Sequence, residues 1–254
     1  MEMKIGAQLY TVRDFAQNTE DFEKTLARVA EIGYREVQVS GTCAYDPAWL
    51  SEKLQKYGLS CVLTHTAMDK MKADAGGVCR DHAVFGCNYI GIGSIPGGVN
   101  DEKYDAFVND FIPVARVFRE NGCKLFFHNH HWEFAKSKTG ERFFERFLAD
   151  FPPELLSITL DTYWVQYGGA NPEEILRTLT GRAECVHLKD LSIVGGKQRM
   201  AVVGEGNLNF PKIIAAAESA GTEHLLVEQD DCYGEDPFEC LARSYRFLRA
   251  MGLE

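Results

Sequence analysis

The sequence has no apolar stretch long enough to cross a bilayer, no C-x-x-C pair, no cluster of lysine and arginine, and no Pro/Ser-rich or low-complexity tract. Each absence removes a class of function. A membrane-spanning helix takes about 20 predominantly apolar residues, so none is expected. The start, MEMKIGAQLY, lacks a basic segment followed by a long apolar one, which predicts a chain without a secretory leader. The eight cysteines (Cys43, Cys61, Cys79, Cys87, Cys123, Cys185, Cys232 and Cys240) are scattered and stand mostly among apolar neighbours. Neither a zinc ribbon nor a small disulfide framework fits that spacing, and a reduced, cytoplasmic protein is the expected setting. With 27 Lys and Arg against 37 Asp and Glu, the formal net charge is -10. Neutralising phosphates takes clustered cations, so neither nucleic acid nor an anionic membrane surface is an expected partner. With no linker to divide it, the chain is expected to be one domain, residues 1–254.

What the sequence does contain is one pattern repeated. Short segments rich in Val, Ile, Leu and Phe alternate with longer segments of helical period, as successive βα units do. The strand candidates are KIGAQLY from Lys4, EVQVSG from Glu36, SCVLTHT from Ser60, YIGIGS from Tyr89, KLFFHNH from Lys124, SITLD from Ser157, CVHLKD from Cys185 and HLLVEQD from His224. Between them lie helices such as TEDFEKTLARVAEIGY, whose Thr19 can cap the start and whose Gly33 can end it. The closing segment, from about Asp236 to Met251, is another, with Pro237 near its first turn. Eight such units in 254 residues predict a single (β/α)8 TIM barrel rather than a doubly wound open sheet.

Strand parity sharpens this, because side chains alternate faces with a period of two. Ile158 and Leu160 share one face and Thr159 and Asp161 the other; Val186 and Leu188 oppose His187 and Lys189. Leu225 and Val227 oppose Glu228, and Leu125 and Phe127 oppose Phe126, His128 and His130. The apolar face belongs under the helices, so the polar set points into the barrel. His65 ends the third strand on the same face as Cys61 and Leu63 by this count. The polar residues fall at the carboxyl ends of their strands, the rim where TIM barrels carry their active sites. Asp161, His187, Glu228 and His128 are therefore expected to converge.

Two imidazoles and two carboxylates make a ligand set of borderline hardness, suited to Mn, Co, Zn or Fe and less well to Mg. Taken singly, His128 reads equally well as a solvated loop residue and Asp161 as a helix N-cap. Taken together, four matches of parity and strand end favour a site.

These segments carry a resemblance that runs nearly end to end. KIGAQLYTVRD, LARVAEIGYREVQVSG, HNHHWEF, LDTYWVQYGGANP, VHLKD with VGEGNLNF after it, and LLVEQD are similar to the xylose isomerase-like sugar phosphate isomerase/epimerase family of metal-dependent TIM barrels, in its HNH-containing branch. In that family the metal is held at the ends of strands five to eight, commonly by Glu, Asp, His and Glu. The resemblance implies metal ligation by Asp161, His187 and Glu228, with His128 standing where many members have the first Glu. It implies a divalent cofactor, Mn foremost and Mg, Co, Zn or Fe as alternatives, and a small carbohydrate as substrate.

The implied chemistry is Lewis-acid and general-base catalysis on a hydroxy-carbonyl compound, through an enediolate. Glu228 is the candidate base, and His65, His130, Lys189 or Glu205 the candidate acid. A ligated histidine cannot also be an efficient base, so the same parts suit elimination of a β-substituent as well as isomerisation. Two catalytic expectations follow: a metal-dependent isomerase or epimerase of a keto-sugar, and a metal-dependent lyase or dehydratase of a keto-sugar, inosose or 3-oxo-glycoside. A third expectation is a non-catalytic carbohydrate-binding barrel or a partner-dependent subunit. A DNA-repair endonuclease would need a multi-zinc set and a basic groove, against the acidic balance.

The remaining positions are read with their ordinary alternatives. His65 is expected at the substrate, against a role as a satisfied core histidine. Lys189 either binds substrate or pairs with Asp161 or Glu205. Trp164, beside Tyr163, either stacks on a sugar or packs the rim. His131 is expected at the surface, and Glu133 either reaches the site or is solvated. The loop IVGGKQRMAVVGEGN has glycines and two basic residues near the place where TIM barrels often hold phosphate, yet no phosphate-cradle motif, which favours an unphosphorylated sugar. The aromatic run Tyr163 to Tyr167 is compatible with self-association into a homo-oligomer.

Overall fold

In the computed structural model, which describes residues 3–253, eight parallel strands close on themselves. They are β1 (Lys4–Gln8), β2 (Glu36–Val39), β3 (Ser60–His65), β4 (Tyr89–Ile92), β5 (Lys124–His128), β6 (Leu156–Asp161), β7 (Cys185–Leu188) and, after a hairpin of β8 (Asp190–Val194) and β9 (Lys197–Ala201), β10 (His224–Val227). The ring runs β1-β10-β7-β6-β5-β4-β3-β2, and β10 closes it by pairing Ile5 with Leu225 and Ala7 with Val227. All eight strand candidates are barrel strands, and closure excludes the open sheet. Among the described residues no helix is long and apolar enough to cross a membrane.

The two faces sort as alternation requires. Leu125, Phe127, Ile158, Leu160, Val186, Leu188, Leu225 and Val227 belong to the main core between strands and helices. Inside the ring, Leu63, Phe126, Cys185 and Leu226 form a separate apolar plug. Each large side chain buried there adds about 1.5–3 kcal/mol and closes the bottom of the barrel, so the polar residues one step further along each strand form a floor that water reaches only from the mouth.

One strand breaks the count. Val37 pairs with Cys61 but Gln38 pairs with Leu63, so Val62 is an extra residue bulged out of β3. Cys61 consequently packs in the outer core, while Leu63 lies in the inner plug; the expectation that Cys61 shares a face with Leu63 and His65 is corrected by this bulge. The hairpin is a second departure, since its sequence, IVGGKQRMA, predicts a loop. Gly195 and Gly196 sit at positive φ, 58° and 76°, which a tight two-residue turn needs, and Lys197, Gln198 and Arg199 face solvent.

Helix ends follow local chemistry. The helix Thr19–Ile32 is capped by Asn18, whose Oδ1 accepts the Asp21 N–H at 2.9 Å, one residue earlier than the expected Thr19. It ends at Gly33, where φ is 126° and a Cβ would stand 2.6 Å from the Tyr245 ring. The helix Pro237–Ala250 starts on Asp236, whose Oδ1 accepts the Phe238 N–H at 2.9 Å.

Candidate metal centre at the barrel mouth

Four side chains meet above the plug. His128 ends β5, Asp161 ends β6, His187 lies in β7 and Glu228 follows β10. Each is buried and offers one ligand atom, and these atoms all lie within 4.8 Å of one another.

The histidines are oriented from behind. His128 Nδ1–H donates to Gly93 O at 2.9 Å, and His187 Nε2–H donates to Gln38 Oε1 at 2.6 Å. Both acceptors are oxygens with no proton to give, so His128 Nε2 and His187 Nδ1 are left with lone pairs. Those lone pairs face carboxylate oxygens: His128 Nε2 is 3.1 Å from Asp161 Oδ2, and His187 Nδ1 is 2.9 Å from Glu228 Oε2. Two acceptors buried against each other call for a positive charge between them. His187 Nδ1 finds no hydrogen-bond partner among the described residues. Burial by itself lowers the His128 pKa, but the Asp161 carboxylate outweighs it and the net shift is upward, the same demand for a cation expressed as a proton. An N2O2 donor set of this kind fits a divalent ion.

Asp161 is the helix N-cap that the sequence allows, and its second oxygen faces the cluster. Oδ1 accepts the Trp164 N–H at 2.9 Å and caps the helix Thr162–Tyr167, leaving Oδ2 for the cluster. Its own N–H donates to Asn129 Oδ1 at 3.0 Å, so Asn129, turned away from the mouth as parity requires, fixes the tip of β6.

Lys189 enters the same cluster. Its ammonium is fully buried, 3.0 Å from Asp161 Oδ2, 3.0 Å from Glu228 Oε2 and 2.8 Å from Asp230 Oδ1. Burial would lower its pKa, and the three carboxylates drive it well above the usual lysine value instead. For Asp161 burial likewise opposes the charged form, yet Lys189 and His128 hold the carboxyl well below its ordinary range.

A cavity of about 280 Å³ opens above, lined by Tyr10, Ser40, His65, Gly93, Ser94, His128, His130, Lys189, Glu228 and Asp230. His65 Nδ1 shares a hydrogen bond with Ser40 Oγ at 3.0 Å, and its Nε2 is buried without a partner. Burial, reinforced by His128 and His187, pushes its pKa well down, so the ring is neutral. His130 is pushed to about 2, mainly by burial, with an unpaired Nδ1. Glu133 is not solvated: its Oε2 accepts the His130 N–H at 2.8 Å, and burial raises its pKa to about 7. His131 is half-buried, its ring packed against Trp132, Trp164 and Tyr167 at the outer rim. Trp164 stands beside the cavity, 5.2 Å from the His130 ring and 5.7 Å from Lys189 Nζ.

Glu205 is the one candidate that the structure leaves outside. Asp190, buried, accepts N–H bonds from Gly204, Gly206 and Leu208 at 2.9–3.2 Å and draws their backbone inward. The Glu205 side chain is thereby left half exposed, paired with Arg243 at 2.8 and 3.0 Å. The glycine-rich loop thus cradles a carboxylate of the protein itself. Conversely, sequence reasoning missed Gln38, Ser40 and Asp230, although Gln38 and Ser40 alternate within EVQVSG and Asp230 is two residues from Glu228.

A family model described as xylose isomerase-like TIM barrel matches residues 26–251. The inosose dehydratase of Geobacillus kaustophilus (strain HTA426) is 25% identical over 234 residues, which is 76% of this chain and 74% of that protein. The inosose dehydratase of Clostridium botulinum (strain Alaska E43 / Type E3) is 26% identical over 168 residues, and the match spans 59% of this chain and only 55% of that relative. Among solved structures, a sugar phosphate isomerase/epimerase from Parabacteroides distasonis ATCC 8503 superposes with a TM-score of 0.82 at 22% identity, covering 98% of this chain and 94% of its own.

Proposed function

Because the chain belongs to the xylose isomerase-like TIM barrel family, we propose that it is a divalent-metal-dependent enzyme that removes a proton next to the carbonyl of a keto-sugar and completes the reaction by elimination. The observation that carries this is the pair of histidine lone pairs held against two carboxylate oxygens, 3.1 and 2.9 Å apart, at the tips of adjacent strands. His128 Nε2, Asp161 Oδ2, His187 Nδ1 and Glu228 would hold the ion, with manganese the first expectation for so mixed a donor set. A divalent ion held there supplies Lewis acidity for the negative charge left on the sugar when its proton departs.

The chain's own groups supply the rest. Glu228 lines the cavity and takes the C–H proton. His65 Nε2 and His130 Nδ1, buried and unpaired, hydrogen-bond sugar hydroxyls and orient the ring. Lys189, held by Asp161, Glu228 and Asp230, keeps the three carboxylates from repelling the developing anion. As the electron pair of the broken C–H bond forms the new double bond, the β-substituent leaves with its bonding pair and takes the proton that Glu228 has collected, giving an unsaturated ketone and water or an alcohol and restoring the Glu228 carboxylate.

Elimination is favoured over two-base epimerisation because the tip of β5 carries imidazole. A second base would have to come from His130 or His65, and burial leaves both too weakly basic. The dehydratase relatives point the same way. Isomerisation or epimerisation is the second reading, supported by the shared fold with an isomerase/epimerase. The test is incubation of the manganese-loaded protein with an inosose and with 2-keto and 3-keto sugars in deuterated water, followed by mass spectrometry. Elimination releases water or a fragment; isomerisation conserves mass apart from deuterium. Neither release nor exchange with any of them would overturn both readings.

A further inference from the structure

An aromatic strip leads from the cavity to the surface, and we propose that it is an outer subsite for a flat aryl group joined to the keto-sugar through a glycosidic oxygen. The inference rests on the keto-sugar reading of the cavity. The strip begins at His130, which lines the cavity, and passes to Trp164 at 5.2 Å between ring centroids. From Trp164 it reaches His131 at 5.1 Å, and from there Trp132 at 4.1 Å and Tyr167 at 5.0 Å. Its outer members are bare: Trp132 is 46% and Tyr167 44% exposed.

Packing alone does not account for it. Large aromatic side chains gain most of their stabilisation from burial, and two of them here keep nearly half their surface in water. At the inner end, His130 Nδ1, His131 Nδ1 and Trp164 Nε1 are buried with no hydrogen-bond partner among the described residues. Buried polar atoms ordinarily have one, and of these three His130 Nδ1 belongs to a residue that lines the cavity. The Trp132 ring is also braced: Gly98, at φ 76°, brings the loop after β4 so close that a Cβ there would stand 2.9 Å from the ring. A fixed face is what stacking needs. The five members contribute flat rings and no carboxylate or amide side chain, which suits a stacked aryl ring.

The test compares methyl, 2-naphthyl and glucosyl 3-keto-glucosides on the full-length, manganese-loaded chain, reading the initial quenching of tryptophan fluorescence by stopped flow before turnover. The chain has three tryptophans, and Trp49 is packed against Phe22 in the core, so quenching reports Trp132 and Trp164. The naphthyl glycoside is expected to bind about tenfold tighter than the methyl one, the gain from a stacked ring pair. In Trp132→Ala and in Tyr167→Ala the ratio should fall toward one, and Trp132→Phe should retain most of it. Equal affinity for methyl and naphthyl glycosides would overturn the subsite and leave the keto-sugar reading standing. A preference confined to the glucosyl compound would replace aryl by sugar and so overturn it too. A dimer by sedimentation that Trp132→Ala dissociates would make the strip an interface between copies. Binding of none of the three would overturn the subsite, and the keto-sugar reading falls with it only where an inosose and 2-keto sugars also fail to bind.

Discussion

Asp161 and Lys189 together define how the site is balanced. The carboxylate spends one oxygen on a helix cap and one on the cluster, so its position is fixed by backbone geometry before any ligand arrives. The ammonium lies 3.0 Å from two of the oxygens that would hold a metal. A dication and this ammonium repel each other, and at an effective dielectric of about 20 like charges about 4 Å apart cost roughly 4 kcal/mol per unit charge product. Lys189→Met should therefore bind Mn at least about tenfold tighter than the parent in a calorimetric titration. Weaker binding would show that the lysine supports the ion rather than opposing it. Gln38 acts in the other direction. Its amide oxygen holds the His187 tautomer at 2.6 Å, and removing such an outer partner typically costs about 10–100-fold in metal affinity. Gln38→Leu should show that loss with an unchanged circular dichroism spectrum; unaltered affinity would mean that His187 is oriented by packing alone.

At the scale of the element, alternation made most of the barrel legible. Each apolar/polar alternation in β5, β6, β7 and β10 maps onto the outer core and the interior, and that is why His128, Asp161, His187 and Glu228 could be drawn together from the sequence. What alternation cannot reveal is an inserted residue or a long-range partner. Val62 shifts the β3 register without any Gly or Pro to announce it, and Gln38 earns its place only by meeting His187 from across the ring. The hairpin carried a signal in Gly195–Gly196, but its exposed polar strand lacks the apolar content by which the barrel strands were recognised. Glu205 fell outside for the related reason that a buried Asp190 controls its loop.

Two tests belong to this scale. At Gly91 in β4, a Cβ would stand 2.7 Å from Thr64 O of the neighbouring strand, so Gly91→Ala should destabilise the barrel by about 1–3 kcal/mol in urea titration. No loss would mean that β3 and β4 can separate there without cost. The helix Ala75–Val84 is tied to β3 by His82, whose Nδ1–H donates to Val78 O and whose Nε2 meets the Thr64 hydroxyl, both at 2.8 Å. Burial lowers the His82 pKa. The unfolded chain then binds the proton more readily than the folded one, so this contribution is complete above about pH 6.5 and is lost as pH falls from there toward the depressed folded value. His82→Asn should flatten the fall in urea midpoint between pH 7 and pH 5 relative to the parent. An identical fall in both proteins would assign it to other groups.

On the scale of the whole molecule, the apolar plug and the polar mouth are one design: Leu63, Phe126, Cys185 and Leu226 seal the ring from below, and the charged tips gather where only the mouth admits solvent. The acidic cluster is stable in that setting because Lys189 and the histidines share its charge, and a bound dication would take over that role. The most direct measurement is an anomalous diffraction map from crystals grown with manganese. One peak per chain is predicted, within about 2.0–2.3 Å of His128 Nε2, Asp161 Oδ2, His187 Nδ1 and a Glu228 oxygen. A map with no peak there, or with manganese bound elsewhere while these four side chains stay as they are, would contradict it.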